Sequence, residues 1–278
     1  MQPQREYLSY KFEDSEAFVD TFDEQPLWSA TFGLLLLKHL EYKKDIAILD
    51  IGSGTGFPLL EIAGRFGSTC KCYGLDTWVN ANKRARQKAY NYGLKNVEIL
   101  DGSAEKIPFA DGAVDLIVSN LGINNFENPA VVFGESYRAL KPGGRLALTT
   151  NLDGHWRQFY EVFESTLKRL GKSETVATLH AEQAHRGTEE SIAAMFTDSG
   201  FKSLRHFREG FEMKFADGSA FLNHYFVKLG WLGSWLELVG DDAEMVFAVL
   251  EEQLNLLAAE QGGLTLTVRM LYMEGVKL

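Results

Sequence analysis

Cysteine, proline and basic charge are scarce in this 278-residue sequence, and each scarcity removes a class of explanation. Only two cysteines occur, Cys70 and Cys72. Two thiols cannot close a four-ligand metal site, so no metal is expected, and reduced core thiols of a cytoplasmic protein are the expectation. With six prolines and no low-complexity tract, no flexible linker marks a domain boundary. Basic side chains number 28 against 38 acidic ones, a formal charge of −10. That field repels a phosphate backbone at long range, so nucleic acid is not an expected partner. The longest aliphatic run, Leu34 to Leu37, is stopped by Lys38, well short of a membrane span. The polar start, Met1 to Glu6, leads into no apolar signal region, which points to a cytoplasmic rather than a secreted protein.

What is present is an ordinary folded composition, 45% hydrophobic and 24% charged, with aromatics at 12%. Such aromatic content implies a large core or an aromatic-lined pocket. From about residue 46 to 150 strand and helix patterns alternate. Ile46 to Ile51 is a short apolar run ending in a glycine-rich loop, as for a strand buried on both faces. Phe57 to Phe66 reads as its helix, with Pro58 in the first turn. Cys70 to Leu75, Val97 to Leu100, Val114 to Val118 and Arg145 to Thr150 read as further strands. Residues 78–92 read as a helix whose Lys83, Arg84, Arg86 and Lys88 form a solvated basic face. Asn128-Pro129 starts another helix, with Asn128 as its N-cap, and Lys141-Pro-Gly-Gly144 stops it. Glu189 to Ser199 reads as a helix, and Phe201 to Arg208 and the alternating Leu264 to Tyr272 as the last two strands.

Repeated strand–helix–strand units imply an α/β, Rossmann-like fold: a seven-stranded, mainly parallel sheet with helices on both faces and a helical cap. The expected division is 1–45 N-terminal helical cap, 46–150 ligand-binding core, 151–185 helical insertion, 186–209 core continued, 210–261 helical cap insertion and 262–278 C-terminal core strand. The last cap segment ends in a long helix capped by Asp241 and stopped by Gly262-Gly263. Additions of this kind gather over the ligand crevice at the carboxyl ends of the strands.

The chemistry is carried by Leu49-Asp50-Ile51-Gly52-Ser53-Gly54-Thr55-Gly56-Phe57. A glycine loop between a first strand and its helix lets a ligand approach the backbone, beside a positive helix end. The dinucleotide fingerprint needs glycine where Phe57 stands, and Asp50 disfavours a nearby pyrophosphate while suiting a cationic ligand. Asp76 ends the second strand, where a carboxylate accepts from both ribose hydroxyls of a nicotinamide or an adenosyl cofactor. Asp76 or Thr77 would equally serve as a helix cap. Gly102 to Phe109 and Asp115 to Asn120 flank the point where the sheet order reverses, and Lys141 to Gly144 is a loop with structural meaning.

In this order and spacing, these elements resemble the class I S-adenosylmethionine-dependent methyltransferases. The likeness is to the type-11 group that includes the ubiquinone/menaquinone-biosynthesis C-methyltransferases, and it covers roughly residues 40–150. The resemblance implies S-adenosyl-L-methionine as cofactor, lying along Gly52, Ser53, Gly54 and Gly56. It implies Asp50 facing the amino-acid end, Asp76 the ribose with Thr77 beside it, and Trp78 near the adenine. Where the family usually has Asp, this chain has Ser103, which accepts one hydrogen bond, and Ala104 supplies a backbone contact. Asn120 is implied as a methionine contact. Ser119 to Phe126 occupies the stretch that faces sulfonium and acceptor, and is not the Asn/Asp-Pro-Pro-aromatic tetrad of amino-group methyltransferases.

The implied activity is methyl transfer (class 2.1.1) to a small-molecule acceptor by in-line displacement, in which positioning and water exclusion do most of the work. His155 and His224 are the histidines placed to matter, though no general base is assigned. Tyr10, Trp28, Trp231 and Trp235 are candidates for the wall of an acceptor cavity, or for core. Two other readings remain at this point: an NAD(P)-dependent Rossmann oxidoreductase, and a non-catalytic cofactor-binding module. The acceptor and the oligomeric state are not legible in the sequence.

Overall fold

The computed structural model describes residues 5–23, 27–184 and 186–278. In chain order its elements are α1 (Glu16–Asp23), α2 (Leu27–His39), β1 (Ala47–Ile51), α3 (Leu59–Phe66), β2 (Lys71–Asp76), α4 (Val79–Asn91), β3 (Val97–Asp101), β4 (Val114–Asn120), α5 (Pro129–Ala139) and β5 (Leu140–Asn151). There follow α6 (Arg157–Arg169), α7 (Ser173–Ala184), α8 (Glu189–Asp198), β6 (Lys202–Phe215), α9 (Gly218–Asn223), α10 (Tyr225–Val227), α11 (Gly233–Val239), α12 (Ala243–Gln261) and β7 (Leu264–Val276). Among the described residues no helix is long and apolar enough to cross a membrane.

The seven strands form one sheet in the order β3-β2-β1-β4-β5-β7-β6. β1 pairs in parallel with β2 and β4, β2 with β3, and β4 with β5, while β7 runs antiparallel to β5. The chain steps outward from β1 to β3 and then returns to β4 on the other side of β1. The order therefore reverses between β1 and β4, and a ligand crevice is expected outside their carboxyl ends. The apolar runs read from the sequence are strands because both faces are covered: Ile48, Leu49 and Ile51 are buried, as are Ile117 and Val118. Leu49, Ile51, Ile117, Leu146 and Leu148 pack one face together with Val132 and Phe133 of α5 and Phe196 of α8.

The chain divides into two compact units. The sheet unit comprises Asp14–Leu152, Gly187–Glu209 and Met270–Leu278. The second unit comprises the described part of residues 1–13, with Asp153–Arg186 and Gly210–Arg269. Residues of β6 and β7 fall in both. The second unit has an aromatic core in which Trp156, Phe159, Phe163, Phe221 and Trp235 are all buried. Its ring centroids lie 4.4 Å apart for Phe159–Trp235 and 5.2 Å for Trp156–Phe221.

Residues 14–45 group with the sheet unit, and residues 262–269 with the second unit. The reason for the first is chemical, and several local expectations need correcting with it. The basic face of α4 is only partly solvated: Lys83, still exposed, pairs with Glu16 of α1 at 2.7 Å, and the more buried Arg84 and Lys88 pair with Asp23 of α1 at 3.0 and 2.6 Å. Asn128 precedes α5 without a side-chain cap bond, because its backbone N–H and side chain donate to Glu105 instead. The long helix α12 starts after Asp242 rather than Asp241, and Asp242 binds Lys172 instead of capping the helix. Cys70 and Cys72 are buried free thiols, and burial pushes the Cys72 thiol up to about 12.

Candidate functional site

The glycine loop leaves β1 and is held from below by β2. Gly52 N–H donates to the Leu75 carbonyl at 2.8 Å, and Gly54 N–H to the Asp76 carboxylate at 2.8 Å. The turn closes where Gly56 N–H donates to the Ser53 carbonyl, and α3 begins with Leu60 N–H on the Gly56 carbonyl. Two of these glycines have different reasons to be glycine. Gly56, at φ +96°, sits where a Cβ would lie 3.1 Å from Leu60 and 3.2 Å from Ala85, so it allows α3 and α4 to close. Gly54, at φ +50°, would project a Cβ into space with nothing within 4 Å. The empty side of Gly54, beside a half-buried carboxylate, is a cradle that a ligand's backbone-side contact would fill.

Asp76 is already engaged. Its second oxygen accepts from the Trp78 N–H at 2.8 Å, so the carboxylate ties the glycine loop to the start of α4. Each carboxylate oxygen accepts about two hydrogen bonds, which leaves acceptor capacity for hydroxyls of a ribose. The cap role and the acceptor role are thus compatible in one side chain. Thr77 is exposed. Asn82, fully buried on α4, donates to the Asp76 carbonyl at 2.9 Å and to the Asp101 carboxylate at 2.8 Å. Asp101 is further bound by Arg86 at 2.7 Å, and Arg86 and Asn82 hold its carboxyl below the usual range. Sequence reasoning missed Asn82 and Asp101. The available signal was a polar residue on the face that Ala81, Ala85 and Ala89 bury.

Asp50 does not open onto solvent. It is fully buried on the face of β1 shared with Ile48, and neither carboxylate oxygen finds a hydrogen-bond partner among the described residues. Ser53 Oγ is in the same state. Burial first, and the charge of Asp76 second, hold the Asp50 carboxyl well above its usual range. The Leu59 N–H offsets this only in part, and a buried acid so placed favours a neighbouring cation. That suits a sulfonium cofactor and disfavours a pyrophosphate.

Trp78 is half-buried, its Nε1–H donating to Asp14 at 2.7 Å and its ring 5.8 Å from Phe22. Asp23 at the end of α1 accepts from Lys88 and Arg84, with Thr55 beside it. Burial pushes its carboxyl up, and those three partners bring it below the usual range. The influence of Thr55 on Asp23 puts the end of α1 beside the glycine loop. Ser103 Oγ is spent on the Glu105 N–H at 3.1 Å, and Ala104 is buried beside it.

The carboxyl ends of β4 and β5 carry a neutral polar cluster. Asn120 is locked, its Nδ2 donating to the Ser29 carbonyl at 3.0 Å and its Oδ1 accepting from Thr149 at 2.8 Å. Beyond it the chain turns sharply at Leu121, φ +66°, into the short turn Gly122–Asn124. A Cβ on Gly52 would lie 3.3 Å from Gly122, so this turn packs on the glycine loop.

His155 and His224 both belong to the second unit. The His155 ring is buried 4.4 Å from Trp156 and 5.8 Å from Trp231, and burial holds it well below its usual value, hence neutral. Burial, and then Lys228, lower His224. Trp231 and Trp235 are core residues of that unit, Lys228 lies over the Tyr10 ring, and Trp28 leans on Phe32 at 5.1 Å.

Residues 49–148 match the family described as a methyltransferase domain. A demethylmenaquinone methyltransferase from Listeria welshimeri is 30% identical over 180 residues, which span 61% of this chain and 76% of that protein. One from Lactococcus lactis is 25% identical over 230 residues, covering 80% and 86%. Among solved structures, the YcgJ protein from Bacillus subtilis has a TM-score of 0.60 at 18% identity, covering 89% of this chain and 98% of that one. That last likeness is one of fold alone.

Proposed function

The chain belongs to the class I S-adenosylmethionine-dependent methyltransferases of the ubiquinone/menaquinone type, and from that premise we propose that its acceptor is a reduced quinone, methylated on a ring carbon. The observation that supports this acceptor is the 30% identity over 180 residues to a relative named for demethylmenaquinone. The relatives do not favour a nicotinamide oxidoreductase or a non-catalytic binding module.

The residues fit the cofactor, as the open side of Gly54, the spare acceptor capacity of Asp76 and the unpartnered buried Asp50 indicate. In this reading Gly52, Ser53, Gly54 and Gly56 lie along the cofactor, and Asp76 accepts the ribose hydroxyls. Trp78, Ser103 and Ala104 border the adenine, and Asn120 stands at the methionine end. Bound S-adenosylmethionine supplies an electrophilic methyl group, transferred as the carbon–sulfur bond breaks and its electron pair stays on sulfur. The protein orients. Asp76 would hold the glycine loop and the ribose together, so that the ends of β1 and β2 position the cofactor. The polar groups at the β4 and β5 ends are amides and hydroxyls, which can position an oxygen-bearing acceptor without a buried charge.

The test is direct. S-adenosylmethionine or its demethylated product should raise the melting temperature and NAD(H) should not, and a reduced demethylquinone should gain one methyl on carbon. Methylation of phenolic oxygen or amine nitrogen alone would overturn the acceptor assignment.

A further inference from the structure

The β5 end holds an amide whose hydrogen bonds are half used. Asn151 is the last residue of β5 and only 2% exposed. Thr150 Oγ1 donates to Asn124 Oδ1 at 2.7 Å, and Asn124 Nδ2 donates to Asn151 Oδ1 at 2.7 Å. The relay runs one way. It occupies the Asn151 oxygen and leaves Nδ2 with two N–H donors that meet no acceptor among the described residues and are not sealed from solvent. Such a donor, without a protein acceptor yet open to solvent, is left for water or a ligand oxygen to complete.

Two further observations place this donor in the site. Asn124 belongs to the turn that packs on the glycine loop through Gly52 and Gly122. That turn is reached only through Leu121, a non-glycine residue in the left-handed region, fixed by its N–H on the Thr149 carbonyl at 2.9 Å. Such a backbone is strained for an L-residue, so its presence marks a position that the surroundings enforce. By contrast, the side chain of Asn120 is held at both ends and is a brace.

We propose that Asn151 holds the acceptor's oxygen in its anionic form, with Thr150 and Asn124 as positioning residues that keep its N–H available. This rests on the proposed acceptor class and names the residue that selects it. The acceptor hydroxyl loses its proton to bulk water. Nδ2–H then donates to the phenolate oxygen, whose electron density is shared with the neighbouring ring carbon. That carbon forms the new bond to the methyl group as the carbon–sulfur bond breaks, and it afterwards releases its hydrogen as a proton to water. Oriented donors of this kind stabilise charge without reorganising.

The test uses the full chain with S-adenosylhomocysteine and 4-nitrophenol, whose ionisation is read by absorbance. Binding should shift ionisation of the probe toward phenolate by roughly tenfold, the scale of one charge-assisted hydrogen bond. Asn151→Ala should abolish the shift, and Asn151→Asp, which presents an oxygen, should reverse it. Thr150→Val should weaken the shift and Thr150→Ser should keep it, while S-adenosylhomocysteine affinity by calorimetry stays the same. These two also serve if Asn151→Ala does not fold. An unbound probe, a probe bound as neutral phenol, or a shift that survives Asn151→Ala would overturn the proposal. Since no methyl is transferred, an ionisation shift that persists while reduced quinones go unmethylated would sink the quinone reading alone.

Discussion

Replacing Asp76 with alanine should do two separable things, because its carboxylate has two sets of partners. In the protein alone it accepts from Gly54 N–H and Trp78 N–H, both at 2.8 Å. A hydrogen bond to a charged group contributes about 1.5–3 kcal/mol, but the half-buried setting lets water reach the freed N–H groups, so a folding loss of about 1–3 kcal/mol in total is expected. At roughly 2–4 °C per kcal/mol for a chain of this size, the melting temperature should fall by several degrees. With the cofactor, two ribose hydroxyls lose a charged acceptor, about 1.5–3 kcal/mol, or roughly a ten- to hundredfold rise in Kd. Calorimetry with S-adenosylhomocysteine, run below the variant's melting temperature, separates the two. A lower melting temperature with unchanged Kd would show that Asp76 is only a brace between loop and helix.

Gly54→Ala and Gly56→Ala should diverge. The first meets only the left-handed strain of about 1–2 kcal/mol yet should weaken cofactor binding more than tenfold, by roughly the worth of one lost close contact set. The second adds overpacking on Leu60 and Ala85, an expected loss of about 2–4 kcal/mol by thermal unfolding. Equal melting temperatures would contradict the packing argument. Asp23→Asn should cost about 1–3 kcal/mol, between the exposed and buried limits for an ion pair, and speed hydrogen exchange in Glu16–Asp23. Unchanged exchange there would mean that α1 is not held by Arg84 and Lys88. Asp50 titrates above its unfolded value of roughly 3.9, owing to burial and then Asp76. Its stability contribution is therefore full below about pH 4 and lost as pH rises toward the folded value. Asp50→Asn, neutral throughout, should remove that decline, and parallel stability–pH curves would refute it.

The sheet was legible because its strands are continuous apolar runs between glycine loops, and because Gly52 to Gly56, Asp76 and Asn120 lie close to strand ends, where local spacing is informative. What escaped reading depends on long-range pairing. Nothing near Lys83, Arg84 and Lys88 announces that Glu16 and Asp23, more than sixty positions away, neutralise them. The basic face therefore read as solvated throughout. Asn151 was equally hidden, since its meaning comes from Asn124, which only the turn at Leu121 brings within 2.7 Å. Asp50 was legible as an acid before the loop, but its complete burial depends on packing from distant parts of the chain.

The account rests most heavily on what receives the methyl group. Purified protein incubated with S-adenosylmethionine carrying an isotope-labelled methyl group and a chemically reduced demethylmenaquinone analogue, followed by mass spectrometry and NMR of the product, tests this directly. The account predicts one labelled methyl on a ring carbon, with S-adenosylhomocysteine formed in equal amount and the yield abolished when the quinone is left oxidised. Cofactor binding without any transfer to the reduced quinone, or label found on oxygen, would contradict it.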